Sequence, residues 1–371
     1  MSVLTDKSAR SAHRDEQVMR YLTRQLSLIR QGQALPSVRQ VMRDCNVSQL
    51  IVQRSLDVLK DQGLVVSVPG RGLFKGRSDN PAAEAIKTID VLRIIQDSKN
   101  WMERPDFTGE LIRAIGERCA RRSQSIRTIQ IDPKDVQHQL NDVLRRNDIK
   151  ACILFQSPRN DLIESVFDPM FIPAVHLLPR TQVLPPHSIV VDAAQATRLQ
   201  LEHLWSLGHE QIGLLHRFDP KQYNRAFSLQ YETYHDLMAQ HGVRVVPSWV
   251  QYAESGSTAE VVVKGVQAML NGPKPPTAII APDQFLPAIY QTLALQGLRV
   301  GGNFSVIGTD DLAMTALLHP PGTTVCVRRG TLAAAALDML DRRIAGEAEN
   351  EVVSLSAELV VRQSTCPPAP R

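Results

Sequence analysis

Two patterns of apolar positions divide the chain near residue 75. Before that point, apolar residues recur every three or four positions and then form two short runs. From residue 89 onward, short continuous apolar runs alternate with amphipathic stretches. The first pattern is typical of a small helical domain with a β-hairpin, and the second of parallel strands joined by helices. The sequence therefore predicts an α/β protein with a small helical domain at its N-terminus.

The N-terminal region is predicted to contain three helices and a hairpin. The first helix runs from Asp15 to Arg30 and the second from Pro36 to Asp44, because proline suits a first helical turn. Ser48 is a good N-cap for the third helix, whose apolar positions recur at helical spacing. Predicted strands at 64–68 and 73–75 enclose a Pro-Gly-Arg-Gly turn. A helix, a turn, a second helix and a two-stranded wing are typical of proteins that read the major groove of DNA.

The outward face of the third helix supplies candidate contacts to DNA. Gln49 and Gln53 lie one turn apart, and a glutamine can form two hydrogen bonds with an adenine edge. Leu50 can meet a thymine methyl group, although exposed leucines are common at surfaces without any function. Arg39 and Arg54 are expected to contact phosphates.

The charge of the N-terminal region favours phosphate contact. Residues 1–77 contain 13 Lys and Arg against 6 Asp and Glu, a net charge of +7, whereas the whole chain carries +4 and the remainder therefore −3. Arg71, at the tip of the wing, is placed to enter a minor groove or touch a phosphate. The alternatives are a random fluctuation of charge, a solvated turn residue at Arg71, and a helical domain that binds another protein.

Residues 15–75 resemble the winged helix-turn-helix of the GntR family of bacterial transcription regulators. The likeness rests on the stretches LPSVRQV, NVSQLIVQRSLDVLKDQGLV and GRGLF. It implies that Arg39 contacts DNA at the start of the second helix, and that Ser48 and Gln49 open the reading helix. Many relatives have arginine where this chain has Gln49 and Gln53, and threonine at Ile51. The operator sequence therefore does not follow from the resemblance.

The remainder of the chain is predicted to form two doubly wound α/β units in succession. The polar stretch at 76–88 separates them from the N-terminal domain as a linker. Ligands bind such folds at the carboxyl ends of the strands, in the cleft between the units. The predicted strands are 89–95, 126–131, 151–155, 174–178, 212–216, 249–252, 278–281, 305–308, 324–327, 352–355 and 359–361.

This body resembles the effector domain of LacI/GalR-family regulators, which is similar to periplasmic sugar-binding proteins. The likeness covers residues 89–365 and is strongest in VVDAAQATRLQLEHLWSLGHEQIGLL and from PTAIIAPDQF to PPGTTVCVRR. It implies a two-subdomain periplasmic-binding-protein-like fold that dimerises and binds an effector in its cleft. A GntR-type head on such a body is a known combination, as in arabinose-repressor-like regulators. The family's motif acids and arginine match Asp192, Arg225, Asp283 and Asp310.

Several neighbouring positions depart from the family pattern. Ala193 and Pro282 stand where the family commonly has asparagines, and Ser228 replaces a glycine. Residues 327–329, Val-Arg-Arg, stand where a Gln-Pro pair is common. Paired hydrogen bonds from amides and arginines hold sugar hydroxyls, so the loss of both asparagines argues against a simple sugar as effector.

Two hypotheses for the cleft stay open. In the first, it binds a sugar phosphate or another anion, with Arg225 and Asp310 as the holding groups and Trp101, Phe227 and Arg329 as walls. In the second, the cleft has lost ligand control and the body mainly dimerises.

Each of these side chains also has a structural alternative. Trp101 can pack at the cleft rim, Arg225 and Asp283 can pair inside the fold, and Asp310 and Asp311 can cap a neighbouring helix. The predicted effector-binding residues are Asp192 and Asp283 together with the five side chains of the first hypothesis.

The sequence gives no sign of an enzyme. It contains no P-loop, HExxH or GxSxG motif and no GxGxxG after a strand, its five cysteines form no CxxC pair, and its histidines lack ligand spacing. We therefore predict neither a cofactor nor a metal. The N-terminus has no apolar signal segment, and no apolar run approaches the roughly 20 residues of a membrane span. A cytoplasmic protein is expected, whereas an exported solute-binding protein would need a signal and would not need residues 1–75.

Together these features predict a transcription regulator, a repressor on family grounds, that binds a two-fold DNA operator as a homodimer and responds to a small molecule. The predicted domain bounds are 13–75 for the winged helix-turn-helix, 76–88 for the linker and 89–365 for the effector-binding and dimerisation domain.

Overall fold

The computed structural model of the chain describes residues 3–29, 33–61, 64–68, 72–75, 86–94, 107–131, 139–140, 143, 149–157, 172–217, 225–253, 259–346 and 350–370. Two predicted site residues, Arg71 and Trp101, lie outside these ranges, as does most of the predicted linker. Among the described residues, no helix is both long and apolar enough to cross a membrane.

The N-terminal head consists of helices α1 (Val3–Leu28), α2 (Val38–Cys45) and α3 (Gln49–Asp61) and the antiparallel strands β1 (Val65–Val68) and β2 (Gly72–Lys75). One apolar stripe of each helix forms a shared core, in which Leu22 of α1, Val41 of α2 and Leu56 of α3 are fully buried. Lys75 fixes the hairpin to α1, because its ammonium group donates to the Leu26 and Ile29 carbonyls, each at 2.9 Å.

The ends of the head helices differ from the sequence prediction by local capping. Helix α2 begins at Val38 rather than Pro36, because the Ser37 hydroxyl accepts the backbone N–H of Gln40 at 3.3 Å. The sequence predicts a turn at Asn46, since asparagine tolerates a left-handed backbone, and the φ of 52° at this C-cap residue confirms it. Helix α1 begins at Val3, well before the predicted start at Asp15.

The body contains two six-stranded sheets, one for each predicted α/β unit. The N-terminal subdomain has the strand order β13-β7-β6-β5-β3-β4, and the C-terminal subdomain has the order β14-β12-β11-β10-β8-β9. All pairings are parallel except that of β14 with β12. The strands are β3 (Thr88–Ile94), β4 (Ser125–Ile131), β5 (Cys152–Phe155), β6 (Ala174–Leu177), β7 (Ser188–Val191), β8 (Ile212–Arg217), β9 (Val250–Ala253), β10 (Ala278–Ile280), β11 (Ser305–Thr309), β12 (Thr323–Cys326), β13 (Val352–Leu355) and β14 (Glu358–Val360).

Helices cover both sheets, as expected for doubly wound units. Helix α4 packs through Leu111 and Ile115 on the N-terminal sheet, beside Leu337 of α9. The sequence predicts body helices that begin at Ala196 and Ser228, and in the structure both begin three residues earlier, at Ala193 and Arg225. The body helices are α4 (Phe107–Arg121), α5 (Ala193–Ser206), α6 (Arg225–Gln240), α7 (Ala259–Leu270), α8 (Leu286–Leu295) and α9 (Arg329–Ile344).

The chain crosses between the two subdomains at three places. It leaves the N-terminal sheet after β7, returns from β12 into α9, and leaves again between β13 and β14. Each crossover is short and follows the carboxyl end of a strand, so the carboxyl ends of the two sheets face each other across a cleft. The Gln195 side chain joins two crossovers, because it accepts the Ala357 N–H at 2.8 Å and donates to the Ala357 carbonyl at 3.1 Å.

Candidate functional site

The head presents a polar surface along α2 and α3. Leu56 and Leu59 of α3 are fully buried, whereas Leu50 is 63% exposed on the opposite face. Gln53 is half-buried on the same outward side. The other predicted DNA-contacting residues in the described region are all exposed: Arg39, Ser48, Gln49 and Arg54.

A charged pair orients one of the predicted reading residues. The Gln53 amide nitrogen donates to the Asp57 carboxylate at 3.0 Å, and the Lys60 ammonium donates to the same oxygen at 3.1 Å. These two hydrogen bonds, that of Lys60 first, lower the pKa of Asp57 and keep it ionised. The amide carbonyl of Gln53 is thereby turned away from Asp57. The sequence places Asp57 on this outward face, but its contact with Gln53 was not predicted, although a spacing of four is that of helical neighbours.

A second contact fixes α2 against α1. The Tyr21 hydroxyl donates to the Asp44 carboxylate, which also accepts the Gln40 amide at 2.8 Å. The hydrogen bond to Asp44, followed by burial, raises the pKa of Tyr21 to about 12. The helix that carries Arg39 is therefore held at both ends, by Tyr21 and by the Ser37 cap.

In the body, the predicted effector residue Asp192 caps a helix. Its carboxylate accepts the backbone N–H of Gln195 at 2.9 Å, and this capping explains the early start of α5. Asp192 stands directly after β7, at one of the three crossovers. The structure thus gives it a hinge-side position and a structural partner.

The predicted effector residue Asp283 is fully buried at the carboxyl end of β10. Its carboxylate accepts the Leu312 N–H at 2.9 Å, the Thr315 hydroxyl at 2.8 Å and the Thr324 hydroxyl at 2.9 Å. Burial, followed by the nearby charge of Asp310, raises the pKa of Asp283 to about 7. The sequence left open whether Asp283 binds an effector or pairs with neighbours inside the fold. Its described contacts match the second alternative.

The loop after β11 lies next to Asp283 and has an unusual backbone. Asp310 and Asp311 have φ angles of 102° and 49°, in the left-handed region that L-residues rarely adopt. The Asp310 N–H donates to the Val325 carbonyl at 2.8 Å, and the Asp311 carboxylate pairs with Arg362 at 2.7 Å. Such conformations persist where the surrounding structure fixes them, and they cluster at binding sites.

The structural alternative in which Asp310 and Asp311 cap the neighbouring helix is not supported by the described contacts of the turn after this loop. The N–H groups at its start, those of Leu312 and Ala313, donate instead to Asp283 and to Glu110 of α4. The Asp311 carboxylate pairs with Arg362, which lies two residues after the end of β14.

Arg225 and Phe227 stand in the first turn of α6. Arg225 is exposed, and its backbone N–H donates to the Thr181 carbonyl of the N-terminal subdomain at 3.1 Å. Phe227 lies edge-on to His216, with ring centroids 5.8 Å apart. The structure thus places both residues on the C-terminal side of the cleft.

His216 is the centre of an aromatic cluster that sequence reasoning missed. Its ring nitrogen lies 3.0 Å from the Gln230 side-chain oxygen, and Tyr231 and Tyr252 flank it with centroids at 6.2 Å. Burial lowers the pKa of His216 to about 4, so the ring is neutral at physiological pH. A neutral ring among aromatic side chains makes the surface of this cluster largely apolar.

Arg329 contacts several groups at the start of α9. Its guanidinium pairs with Glu110 at 3.0 Å and lies 4.3 Å from the centre of the Phe107 ring. It also approaches the Asp311 carbonyl at 3.4 Å. Glu110 was not predicted from the sequence, because only the folded chain brings α4 to residues 311–313 and 329. Among the described residues, no group of three or more potential metal ligands is found.

Two family models match the chain. The model of bacterial regulatory proteins of the gntR family matches residues 14–74, and the periplasmic binding protein-like domain model matches residues 201–365.

Characterised relatives are repressors. The chain is 25% identical over 273 residues to the PurR repressor of Haemophilus influenzae, across 71% of this chain and 78% of the relative. It is 30% identical over 198 residues to the lactose operon repressor of Escherichia coli, across 53% of each protein. It is 28% identical over 178 residues to the ribose operon repressor of Haemophilus influenzae, and that match spans only 52% of the relative.

Solved structures share the fold of the body. A LacI transcriptional regulator from a Rhodococcus species has a TM-score of 0.62 at 24% identity, covering 76% of this chain and 98% of that one. The complex of the regulator CelR with cellobiose has a TM-score of 0.65 at 20% identity, covering 88% and 95%.

A DNA-reading head joined to a two-subdomain sensor fold defines the class of DNA-binding transcription regulators. More specifically, this chain joins a GntR-type helix-turn-helix domain to a periplasmic-binding-protein-like domain, and its relatives are repressors of the LacI and PurR type.

Proposed function

We propose that this protein is a transcription repressor that binds a two-fold DNA operator as a homodimer and releases or tightens it when a small molecule enters the cleft. The observation that carries the proposal is the reading helix α3, whose apolar face is fully buried and whose opposite face is exposed and polar. The repressor assignment follows the names of the relatives.

The head supports the DNA part of this proposal because residues suited to base contacts and residues suited to phosphate contacts lie on adjacent parts of its surface. Gln49, Leu50 and Gln53 occupy the outward face of α3, where base edges would lie. Arg39 and Arg54 flank this face and would contact phosphates, which position a protein on DNA without reading its sequence. Arg71 is proposed as a wing contact on the sequence evidence alone.

The cleft supports an effector through the groups gathered at the carboxyl ends of the C-terminal strands. Asp310 adopts a constrained backbone there, and Arg225 stands at the N-terminus of α6, where the helix dipole favours an anion. The neutral His216 and Phe227 offer an apolar wall beside them. We propose an anionic or partly apolar effector rather than a simple sugar.

Exposed apolar residues on the C-terminal subdomain support dimerisation. Leu295 at the end of α8 is 80% exposed and Leu317 is 85% exposed. Leu318, beside Leu317, packs on the same core cluster as Ile289 and Leu293 of α8, so the two exposed leucines belong to neighbouring elements. Isologous contact through such a face would give the two-fold symmetry that a palindromic operator requires. We further propose that the protein is cytoplasmic and not an enzyme, in keeping with repressor relatives.

An electrophoretic shift assay on the DNA upstream of the protein's own gene tests the DNA assignment. Arg39→Ala and Gln53→Ala should weaken binding, whereas Lys264→Ala, at an exposed ion pair on α7, serves as the control. Binding of both head variants at the parent's level would exclude α2 and α3 as the reading unit.

Isothermal titration against a panel of metabolites tests the effector assignment. Heat that disappears in Arg225→Ala supports a ligand-controlled regulator. No heat from any panel member favours the second candidate, a DNA-binding dimer whose cleft has lost ligand control; the missing family asparagines at Ala193 and Pro282 support that candidate.

A further inference from the structure

Glu110 of α4 joins the two subdomains through both oxygens of one carboxylate. One oxygen pairs with the Arg329 guanidinium at 3.0 Å, and the other accepts the Ala313 N–H at 3.1 Å. Glu110 belongs to the N-terminal subdomain, because its neighbour Leu111 lies in that core. Ala313 belongs to the C-terminal subdomain, because the loop before it is tied to Asp283. We call the side chains of Glu110, Arg329 and Phe107 with the Ala313 N–H the Glu110 bridge.

The bridge occupies the rim of the cleft at a crossover. Arg329 is the first residue of α9, three positions after the end of β12, where the chain returns to the N-terminal subdomain. Phe107 and Glu110 lie in the first turn of α4, which follows the carboxyl-end side of β3. A change in the angle between the subdomains would therefore alter the distance from Glu110 to Ala313.

The bridge is partly shielded from water. The Arg329 side chain is 12% exposed and that of Glu110 is 23% exposed. Phe107 covers one face of the guanidinium at 4.3 Å, which adds a cation–π contact. An ion pair in such surroundings is weakened less by salt than one at the surface.

One hydrogen-bond donor of the Arg329 guanidinium has no acceptor among the described residues. Its Nε–H is buried and has no hydrogen-bond partner within the part of the chain that the structure describes. A buried polar group without a partner is uncommon and costs free energy. Arginine presents Nε–H and a terminal N–H as a fork that matches two oxygens of a carboxylate or phosphate.

We propose that the Glu110 bridge holds the subdomains in the arrangement described, and that an oxyanion of the effector binds the Nε–H and Nη2 edge of Arg329, displaces Glu110 from Nη2 and so releases Glu110 from Ala313. This inference rests on the proposed function, since it names the ligand chemistry and the moving contact of the same cleft. Carboxylates and phosphates share the required geometry. A ligand of this kind shifts the subdomain equilibrium because it competes with Glu110 for one guanidinium.

Hydrogen exchange of the Ala313 amide in the full-length protein, measured by mass spectrometry on peptides spanning 311–317, tests the bridge. Glu110→Ala should accelerate this exchange about tenfold, as expected for losing one hydrogen bond to a charged group. Glu110→Gln, which keeps the shape and an acceptor oxygen, should accelerate it less. The control is Glu117→Gln on the same helix, whose exposed pair with Arg113 does not reach the C-terminal subdomain.

Inorganic phosphate and malonate, compared with chloride at equal ionic strength, test the ligand chemistry. At least one should accelerate exchange of the Ala313 amide in the parent but not in Arg329→Lys, which retains the charge and lacks the fork. Phosphate alone indicates a phosphoryl ligand and malonate alone a carboxylate. Unchanged exchange in both Glu110 variants, no response to either anion, or an equal response in Arg329→Lys overturns the proposal. The samples contain no DNA, so failure of DNA binding is a separate result.

Discussion

The carboxylate of Asp283 accepts the hydroxyl of Thr315 at 2.8 Å and thereby joins the end of β10 to the turn that follows β11. The loop between them, with Asp310 and Asp311 in left-handed conformations, is held on its buried side by Asp283 and elsewhere by Val325 and Arg362. The space beneath it is tight, since a Cβ on Gly308 would lie 1.8 Å from the Asp283 carboxylate. The acid therefore fixes the position of the loop from which the Glu110 bridge receives the Ala313 N–H.

The raised pKa of Asp283 predicts a pH-dependent stability. Burial, and then the charge of Asp310, raise this pKa from 3.8 to about 7. Between these two pH values the folded protein keeps a proton on Asp283 that the unfolded chain has released. The contribution is fully present below the unfolded pKa and is lost as the pH rises through 7. Relative to Asp283→Asn, which cannot ionise, the parent should lose at most about 1.4 kcal/mol of stability for each pH unit across that window.

Urea unfolding of both proteins across this window measures the difference. The variant Asp338→Asn, at an exposed ion pair with Arg122, is the matched control for loss of one carboxylate. A difference between parent and Asp283→Asn that is constant with pH would contradict a raised pKa.

Two leucines on α3 should have opposite effects when truncated. Leu56 is fully buried in the head core, so Leu56→Ala should destabilise the head by about 2–5 kcal/mol. Leu50 is 63% exposed, so Leu50→Ala should leave stability within about 0.5 kcal/mol and weaken operator binding only. Circular dichroism on denaturation gives the stability, and a shift assay gives the affinity. Equal stability loss for the two variants would mean that α3 is rotated from the position described.

Gln53 and Arg54 should separate base reading from phosphate contact. Gln53→Ala should cost about 1–3 kcal/mol at one base pair of the operator and change binding to unrelated DNA little. Arg54→Ala should weaken binding to all sequences similarly and reduce the salt-dependence slope by about 1. Titrations at several salt concentrations on operator and unrelated DNA distinguish the two. The assignments are exchanged if Arg54→Ala proves selective for one base pair and Gln53→Ala does not.

Gln195 should stabilise the hinge of the cleft by linking two crossovers through hydrogen bonds. Its two hydrogen bonds to the backbone of Ala357 tie two crossovers together, at 2.8 and 3.1 Å. Gln195→Ala leaves both backbone groups without this partner, which should cost about 1–3 kcal/mol of unfolding free energy. Arg198→Ala, on the exposed side of the same helix, is the comparison. If chemical denaturation finds the two variants equally stable, water replaces the two Gln195 hydrogen bonds with no loss of unfolding free energy.

The sequence predicted the head well because its signals are local. In the sequence, Val52, Leu56 and Leu59 fall at i, i+4 and i+7 and predict the buried face of α3, and all three are buried. The same spacing places Val58 beside that stripe, yet Val58 is 45% exposed. The alternation of strands and helices likewise predicts both sheets and their parallel pairing, except for the antiparallel pairing of β14 with β12.

The cleft could not be predicted to the same depth, because its contacts join residues far apart in the chain. Glu110 meets Ala313 and Arg329 only after two subdomains have folded together. Motif matching pointed to Asp192 and Asp283, yet a motif position does not tell whether a carboxylate faces a ligand or a neighbouring backbone N–H. In the structure both accept backbone N–H groups.

The interleaved strands of the body have a consequence for how such a protein can arise. Strand β13 completes the sheet of the N-terminal subdomain and β14, three residues later, that of the C-terminal subdomain, so the last part of the chain is shared by both. A gene break anywhere between β3 and β14 would remove a strand from one sheet or the other. The head, by contrast, is a continuous stretch at one end of the chain. Recombination can therefore replace the head in one exchange while the two-subdomain body is inherited whole.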